Sequence, residues 1–167
     1  GLAEFGAAAL SEHGISAGSV LHVGRKPVEA GGSRPSWLVP QSPPLAHEPS
    51  DGAPVHVTVA IPAYKANYLD AALCSALTQE FDSFEVVICD DSSSDAVESV
   101  VARYLDGGLA LRPSPVAVRY FRNHNPLGEE GNVGRCIQLA RGSYIKFLYD
   151  DDTLLPGCLQ EIGRAHV

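Results

Sequence analysis

The sequence contains no methionine, a single tryptophan and few basic residues. Its 12 lysines and arginines stand against 20 aspartates and glutamates, so the formal net charge at pH 7 is −8. Nucleic acids and anionic membrane surfaces bind proteins through a basic face, and this charge balance argues against either as the main partner. No run of about 18 consecutive apolar residues is present, so the visible chain has no transmembrane segment.

The absence of methionine leaves the chain without a translation start. We therefore expect residues 1–167 to be a piece of a longer protein. The last seven residues, EIGRAHV at 161–167, resemble the translation of a common short-read sequencing adapter. We interpret them as a non-native tail and expect the native sequence to end near Gln160.

Paired C-x-x-C motifs are also missing, although four cysteines are present. All four lie in apolar stretches, where reduced, packed thiols are typical: Cys74, Cys89, Cys136 and Cys158. The spacing favours neither disulfides nor a zinc site and indicates a reducing compartment. We expect a cytoplasmic protein, which in its full length can lie at the cytoplasmic face of a membrane.

Residues 1–52 differ in composition from the rest of the chain. Five prolines lie between positions 35 and 49, and proline fixes extended backbone and removes hydrogen-bond donors. We interpret residues 1–52 as a Pro/Gly-rich linker or the end of a preceding domain. Residues 53–160 then form the N-terminal half of the domain that carries the function.

Strand and helix patterns alternate from Val55 onward. The predicted strands cover 55–61, 84–89, 116–121 and 144–149, and the predicted helices cover 68–77, 97–105 and 133–140, the first capped by Asn67. This order predicts an α/β fold with a doubly wound, mostly parallel sheet. The sheet is expected to be truncated after its fourth strand, which would leave an unpaired apolar edge.

Two acidic runs directly follow predicted strands, Asp90-Asp91 after the second and Asp150-Asp151-Asp152 after the fourth. The carboxyl ends of parallel strands meet at one edge of a sheet, where ligands bind. Grouped carboxylates repel one another unless a cation neutralises them. The runs therefore predict a shared site for Mg²⁺ or Mn²⁺, with two solvated acidic turns as the alternative.

A nucleoside diphosphate attached to a leaving fragment fits such a site. One acidic group can accept hydrogen bonds from a base or ribose, while the other ligates a metal that offsets charge on the departing diphosphate. Tyr64, just past the first strand, either stacks on the nucleobase or packs as a rim aromatic on the adjacent helix. Arg122 can offset phosphate charge, whereas Arg135 is predicted to lie on a helix surface.

Four motifs carry a family resemblance: I-P-A-Y at 61–64, D-D-S-S-S-D at 90–95, A-R-G-S-Y-I-K-F-L at 140–148 and D-D-D-x-L-L-P at 150–156. In this order and spacing, they resemble the nucleotide-binding half of family 2 glycosyltransferases of the GT-A fold. The resemblance implies transfer of a sugar from a nucleotide-sugar donor, with a UDP-sugar as the first candidate, to an unknown acceptor. It also implies inversion at the anomeric carbon and a bound Mg²⁺ or Mn²⁺.

The resemblance also implies which residues bind the donor and the metal. The donor-binding residues are Pro62, Ala63, Tyr64, Asp90, Asp91 and Asp150, and the metal ligands are Asp151 and Asp152. In this assignment Asp91 contacts a base N–H, with Asp90 beside it. Tyr149 stands where family members often have aspartate, so the metal pair can alternatively be Asp150 and Asp152.

The family's general base lies later in the chain, beyond position 160, so no catalytic residue is assigned and we expect this fragment alone to be inactive. A nucleotide- and metal-binding module without turnover is therefore the alternative function.

A haloacid-dehalogenase-like phosphatase is disfavoured because Leu154 stands where its motif has threonine or valine. A dinucleotide-binding domain is disfavoured because no G-x-G-x-x-G follows the first strand.

Overall fold

The computed structural model describes residues 23–25, 45–47, 54–105, 111 and 116–165. Strands and helices alternate through most of this part of the chain. The elements are β1 (Val23–Arg25), β2 (Leu45–His47), β3 (Val57–Ala63), α1 (Leu69–Leu77), β4 (Phe84–Asp90), α2 (Ala96–Leu105), β5 (Ala117–Arg122), α3 (Gly128–Leu139), β6 (Tyr144–Phe147) and α4 (Cys158–Ala165). None of the helices in the described part has the length and apolar character needed to cross a membrane.

The strands form one sheet in the order β1-β6-β3-β4-β5-β2. The four central strands, β6, β3, β4 and β5, are parallel, which confirms the predicted α/β fold with a mostly parallel sheet. From β3 the chain advances to β4 and β5, but β6 returns to the other side of β3. The strand order therefore reverses between β3 and β6, and such reversals create a crevice at the carboxyl ends of the strands.

Two short antiparallel strands flank this parallel core. β1 pairs with β6 through Val23 and Lys146, and β2 pairs with β5 through Leu45 and Tyr120. The expectation of an unpaired edge at the fourth parallel strand is therefore wrong. Three-residue strands carry too little alternation to be read from sequence. They come from the stretch interpreted as a linker or preceding domain, whose other residues lie outside the described ones.

The central strands are buried on both faces. Every residue of β3 and β4 is buried, as is typical of parallel strands covered by helices on each side. Val59 and Ile61 pack in the larger cluster with α1 and α2, whereas Ala60 packs in the smaller cluster with α3 residues such as Cys136. This double coverage explains why the two strands appear in the sequence as nearly continuous apolar runs.

Some predicted element ends differ from the structure. Helix α1 begins after Tyr68, which makes no side-chain cap, so the prediction that Asn67 caps this helix is wrong. Helix α3 begins at Gly128 rather than near 133 as predicted. The prediction missed the first turn because that turn has no apolar periodicity. All four cysteines are free, as predicted.

The C-terminal helix α4 includes residues 161–165, part of the segment interpreted as a non-native tail. Ile162 is buried and packs in the larger core cluster. The adapter interpretation concerns the origin of these residues rather than their conformation, and it stays a prediction.

A buried ion pair joins the amino-terminal halves of the central strands. Arg119 Nε donates to Glu85 Oε2 over 3.1 Å, and the side chains are 6% and 0% exposed. Thr58 Oγ1 donates to Glu85 Oε1 over 2.8 Å, and the Arg141 N–H donates to the same oxygen over 2.7 Å. The buried carboxylate is therefore both ion-paired and hydrogen-bonded, as a buried charge requires.

We expect Arg119→Met to lower the free energy of unfolding by about 3–5 kcal/mol, because it leaves the Glu85 carboxylate buried without its counter-ion. Urea unfolding followed by circular dichroism measures this loss. The matched control is Arg103→Met, which breaks an ion pair with Asp70 whose side chains are both 55% exposed. The control should cost about 1 kcal/mol or less, and equal losses in the two variants would contradict the prediction.

Candidate functional site

The carboxyl ends of β3 and β6 meet at the reversal of strand order. Asp150, which follows β6, accepts hydrogen bonds through Oδ2 from the N–H groups of Tyr64 and Lys65, each over 2.6 Å. These partners are 86 and 85 residues from Asp150 in sequence. The structure therefore brings the I-P-A-Y segment and the start of the acidic triplet into direct contact.

Asp90, the last residue of β4, is fully enclosed by protein. Its Oδ2 accepts a hydrogen bond from the Tyr120 hydroxyl over 2.6 Å, and its Oδ1 accepts one from the Ser92 N–H over 2.8 Å. Burial, followed by the hydrogen bond to Asp90, raises the pKa of Tyr120 well above its ordinary value. The hydroxyl therefore stays protonated and continues to donate. Asp90 is held between β4 and β5, next to Asp91.

Asp91 binds the amino terminus of helix α3 although it is only 4% exposed. Its Oδ1 accepts hydrogen bonds from Asn123 Nδ2 over 2.7 Å and from the Leu127 N–H over 2.8 Å, and Oδ2 accepts one from the Gly128 N–H over 2.9 Å. Leu127 at the N-cap position provides no side-chain cap of its own. A carboxylate is favoured there because unpaired N–H groups give a helix N-terminus partial positive charge.

A buried polar network continues from Asp91 into helix α3. Asn123 accepts a short hydrogen bond from Arg135 Nη1 and donates to Asn132 Oδ1 over 3.0 Å. Asn132 Nδ2 in turn donates to the Cys89 carbonyl over 2.8 Å. Two asparagine amides therefore join Asp91, the end of β4 and the guanidinium of Arg135.

Arg135 is 4% exposed, so the prediction that it lies on a helix surface is wrong. With the true start of α3, Asn132, Arg135 and Cys136 fall at helical spacing on the face that packs against the sheet. The buried Nε of Arg135 has no hydrogen-bond partner within the described residues. A buried cation that lacks a carboxylate partner and leaves a donor unused is costly unless a ligand completes its contacts.

The other predicted site residues differ in exposure. Pro62 and Ala63 are buried at the end of β3, whereas Tyr64 is 62% exposed, so its ring lies mainly in solvent rather than packed on α1. Arg122 Nη1 pairs with Asp95 over 2.6 Å and with Glu98 over 3.1 Å. The hydrogen bond to Asp95 raises the pKa of Arg122, and the charge of this arginine is already compensated by protein.

Asp151 and Asp152 are exposed, and neither carboxylate accepts a hydrogen bond from another described residue. Across the described ranges, no three histidine, cysteine, aspartate or glutamate side chains are grouped closely enough to hold a metal ion. This donor set still fits Mg²⁺ or Mn²⁺, because Mg²⁺ commonly takes one or two carboxylates and completes its coordination with water and substrate phosphates. The exposed carboxylates of Asp151 and Asp152 satisfy that requirement.

A separate cleft of about 540 Å³ opens near the amino ends of β3 and β4, lined by His56, Phe81, Ser83, Gln160, Gly163 and Arg164. Its position at the opposite ends of the strands separates it from the acidic residues. Ligands of doubly wound sheets bind at the carboxyl ends. The polar carboxyl edge is therefore the candidate functional site.

Sequence reasoning located the acidic runs and placed the segment 123–132 near the diphosphate or sugar, but it gave Asn123 and Asn132 no role of their own. Asn123 directly follows β5, so its position after a strand was an available signal. Asn132 would have emerged from a correct start of α3, since Asn132, Arg135 and Cys136 form an i, i+3, i+4 set.

Residues 58–165 match the family model described as Glycosyl transferase family 2. The uncharacterized protein MT1568 of Mycobacterium tuberculosis is 38% identical over 109 residues, which are 65% of this chain and 31% of that protein. A GalNAc(5)-diNAcBac-PP-undecaprenol beta-1,3-glucosyltransferase of Campylobacter jejuni is 33% identical over 119 residues, covering 66% of this chain and 36% of that protein. The chain thus spans about a third of the length of these curated relatives.

Among solved structures, residues 1–349 of S. aureus TarS in complex with UDP superpose with a TM-score of 0.55. The two chains are 21% identical, and the match covers 66% of this chain and 31% of that one. This likeness supports the predicted GT-A-type fold. Together with a family match that covers more than half of the sequence, it confirms the resemblance seen in the four motifs: the chain belongs to glycosyl transferase family 2.

Proposed function

We propose that this domain binds a nucleoside diphosphate sugar, with a UDP-sugar as the first candidate, and that the whole protein transfers the sugar to an acceptor hydroxyl. The observation that carries the proposal is the direct contact of Asp150 with Tyr64 and Lys65 beside Asp91, at the carboxyl edge of a family 2 glycosyltransferase sheet. The TarS structure, which shares the fold, contains UDP. The Campylobacter relative is named as a glucosyltransferase.

The nucleoside end of the donor is assigned to Asp91, Tyr64 and Arg135. A carboxylate offers about four acceptor positions, and Asp91 uses three, so one remains for a base N–H. The exposed ring of Tyr64 can stack on the base. Uracil presents an N–H between two carbonyl oxygens, and the remaining acceptor position of Asp91 suits that N–H. Arg135 is linked to Asp91 through Asn123. Pro62, Ala63 and Asp90 shape the floor of this pocket.

The diphosphate end is assigned to the acidic triplet. Asp150 lies at the ribose position, and Asp151 and Asp152 are the ligands for Mg²⁺ or Mn²⁺, with Asp150 and Asp152 as the alternative pair. When bound, such an ion offsets the negative charge that develops on the leaving diphosphate. The two exposed carboxylates leave room for phosphate oxygens in its coordination.

In the transfer itself, an acceptor oxygen bonds to the anomeric carbon as the bond from that carbon to the diphosphate breaks. A general base takes the acceptor proton, and we assign this role to no residue of the described chain. The alternative function is therefore binding of nucleotide and metal without turnover. We propose a lipid-linked glycan as the acceptor, at the cytoplasmic face of a membrane, because the Campylobacter relative is named for an undecaprenol-linked substrate.

Asp151→Asn should remove the gain in UDP affinity that Mn²⁺ provides, a loss of about tenfold or more. Calorimetric titration of UDP with and without Mn²⁺ measures the effect. The control is Asp82→Asn, which changes an exposed carboxylate at the amino end of β4 and should leave both titrations unaltered. A donor-hydrolysis assay on the same samples tests the alternative function, because any turnover would contradict binding of nucleotide and metal without turnover.

Asp91→Ala should weaken UDP binding and also loosen the first turn of α3. Three hydrogen bonds to the carboxylate are lost, including those from the Leu127 and Gly128 N–H groups, at a cost of about 1–2 kcal/mol in stability. Hydrogen exchange should accelerate at those two amides. Asp95→Ala, which alters an exposed aspartate near the start of α2, is the control. Unchanged UDP affinity in Asp91→Ala would remove the basis for the nucleoside assignment.

Arg135→Met should weaken UDP binding by about tenfold and cost about 1–2 kcal/mol in stability, because it removes a donor with no partner among the described residues and also the hydrogen bond from Nη1 to Asn123. Thermal melting and UDP titration of the same variant test this combination. A variant that melts much earlier but binds UDP normally would assign Arg135 to the fold instead of the donor pocket.

A further inference from the structure

Two side chains, one in helix α1 and one just after its end, hold the loop that follows the acidic triplet. Ser75 Oγ accepts a hydrogen bond from the Leu154 N–H over 2.9 Å. Gln79 Nε2 donates to the Leu155 carbonyl over 3.0 Å, and Gln79 Oε1 accepts from the Leu159 N–H over 3.2 Å. Ser75 in α1 and Gln79, two residues after the end of α1, therefore hold both sides of this loop.

The amide of Gln79 is matched to its surroundings at both ends. The side chain is 3% exposed, and Nε2 also donates to the Ser75 carbonyl over 3.1 Å. Two carbonyl groups need the donor end, whereas the Leu159 N–H needs the acceptor end, so the amide has one favourable orientation. Leu159 lies in the first turn of α4, where N–H groups have no partner within the helix. Gln79 provides that partner from the segment just after α1.

The acidic triplet is held at its other side as well. Asp150 is bound by the N–H groups of Tyr64 and Lys65, and the Asp152 N–H donates to the Tyr149 carbonyl over 3.1 Å. Asp151 and Asp152 lie in the short span between this attachment and Leu154. Because neither carboxylate is hydrogen-bonded to a described residue, their placement depends on the backbone that carries them.

We propose that Ser75 and Gln79 are positioning residues that fix the backbone after the triplet so that Asp151 and Asp152 can present their oxygens to one ion. The inference rests on the metal site of the proposed function. Neither residue contacts donor or metal in this role; both act through the loop at 154–159. Groups that orient metal ligands typically change metal affinity by about 10–100-fold when removed.

The test uses Ser75→Ala and Gln79→Met in the 167-residue chain. Ser75→Ala removes the acceptor for Leu154, and Gln79→Met keeps the length of the side chain but removes its polar groups. The matched controls are Thr78→Ala, which removes a hydrogen bond to Cys74 at the end of α1, and Gln160→Met, which removes one from a half-buried glutamine to Glu80. Calorimetry gives the affinity for Mn²⁺ in the presence of UDP and, with a chelator, the affinity for UDP alone.

We expect Mn²⁺ affinity to fall about tenfold in both test variants, with UDP affinity in chelator changed less than about twofold and both controls unaltered. Should Gln79→Met fail to fold, Ser75→Ala, at a half-buried position, decides the question alone. Unchanged Mn²⁺ affinity, or equal losses of Mn²⁺ and UDP affinity, would overturn the positioning role. If the unsubstituted chain itself binds UDP without any Mn²⁺ dependence, the metal site of the proposed function fails, and this inference fails with it.

Discussion

The parallel pairing of β3 with β6 is the constraint on which the site depends. Val57 to Ala60 pair with Tyr144 to Phe147, so the last parallel strand in the sequence lies beside the first. This register places the carboxyl ends of β3, β4 and β6 side by side. It also lets Asp150 reach backbone N–H groups some 85 residues earlier in the chain. A connection that continued past β5 would have placed the triplet at the far edge of the sheet, away from Tyr64.

Buried polar side chains, whose hydrogen bonds contribute strongly to stability, occupy the region below this edge. Asp90, Asp91, Asn123 and Asn132 are each less than a tenth exposed, and their hydrogen bonds connect three strand ends to one helix. Low polarity around such groups strengthens each satisfied bond and penalises each missing one. The Nε of Arg135 is buried and has no hydrogen-bond partner among the described residues, and the proposed function assigns this arginine to the donor pocket.

Much of the fold was predictable from sequence because β3 and β4 are buried on both faces and therefore appear as nearly continuous apolar runs. The first turn of α3 was not, since Gly128, Glu129 and Glu130 have no apolar spacing to reveal a helix. The carboxyl-edge position of the acidic runs also followed from strand order alone. The contacts of those aspartates could not be predicted from sequence, because the partners of Asp91 lie 32–37 residues away along the chain and those of Asp150 lie farther still. The attachment of the loop to Gln79 has no local sequence signal, as it depends on tertiary packing.

Because Asp91 caps α3, the order of the first turn of α3 and the affinity for a ligand at Asp91 are thermodynamically coupled. The same carboxylate oxygens hold the Leu127 and Gly128 amides and belong to the proposed nucleoside pocket. A ligand that takes an acceptor position of Asp91 from those amides destabilises the start of the helix. By reciprocity, the intact helix start lowers the affinity for that ligand by the same free energy. A ligand that binds the remaining acceptor position without disturbing those amides leaves the order of the helix start unchanged. Fraying at the start of α3 is therefore a direct measure of how a bound base uses this carboxylate.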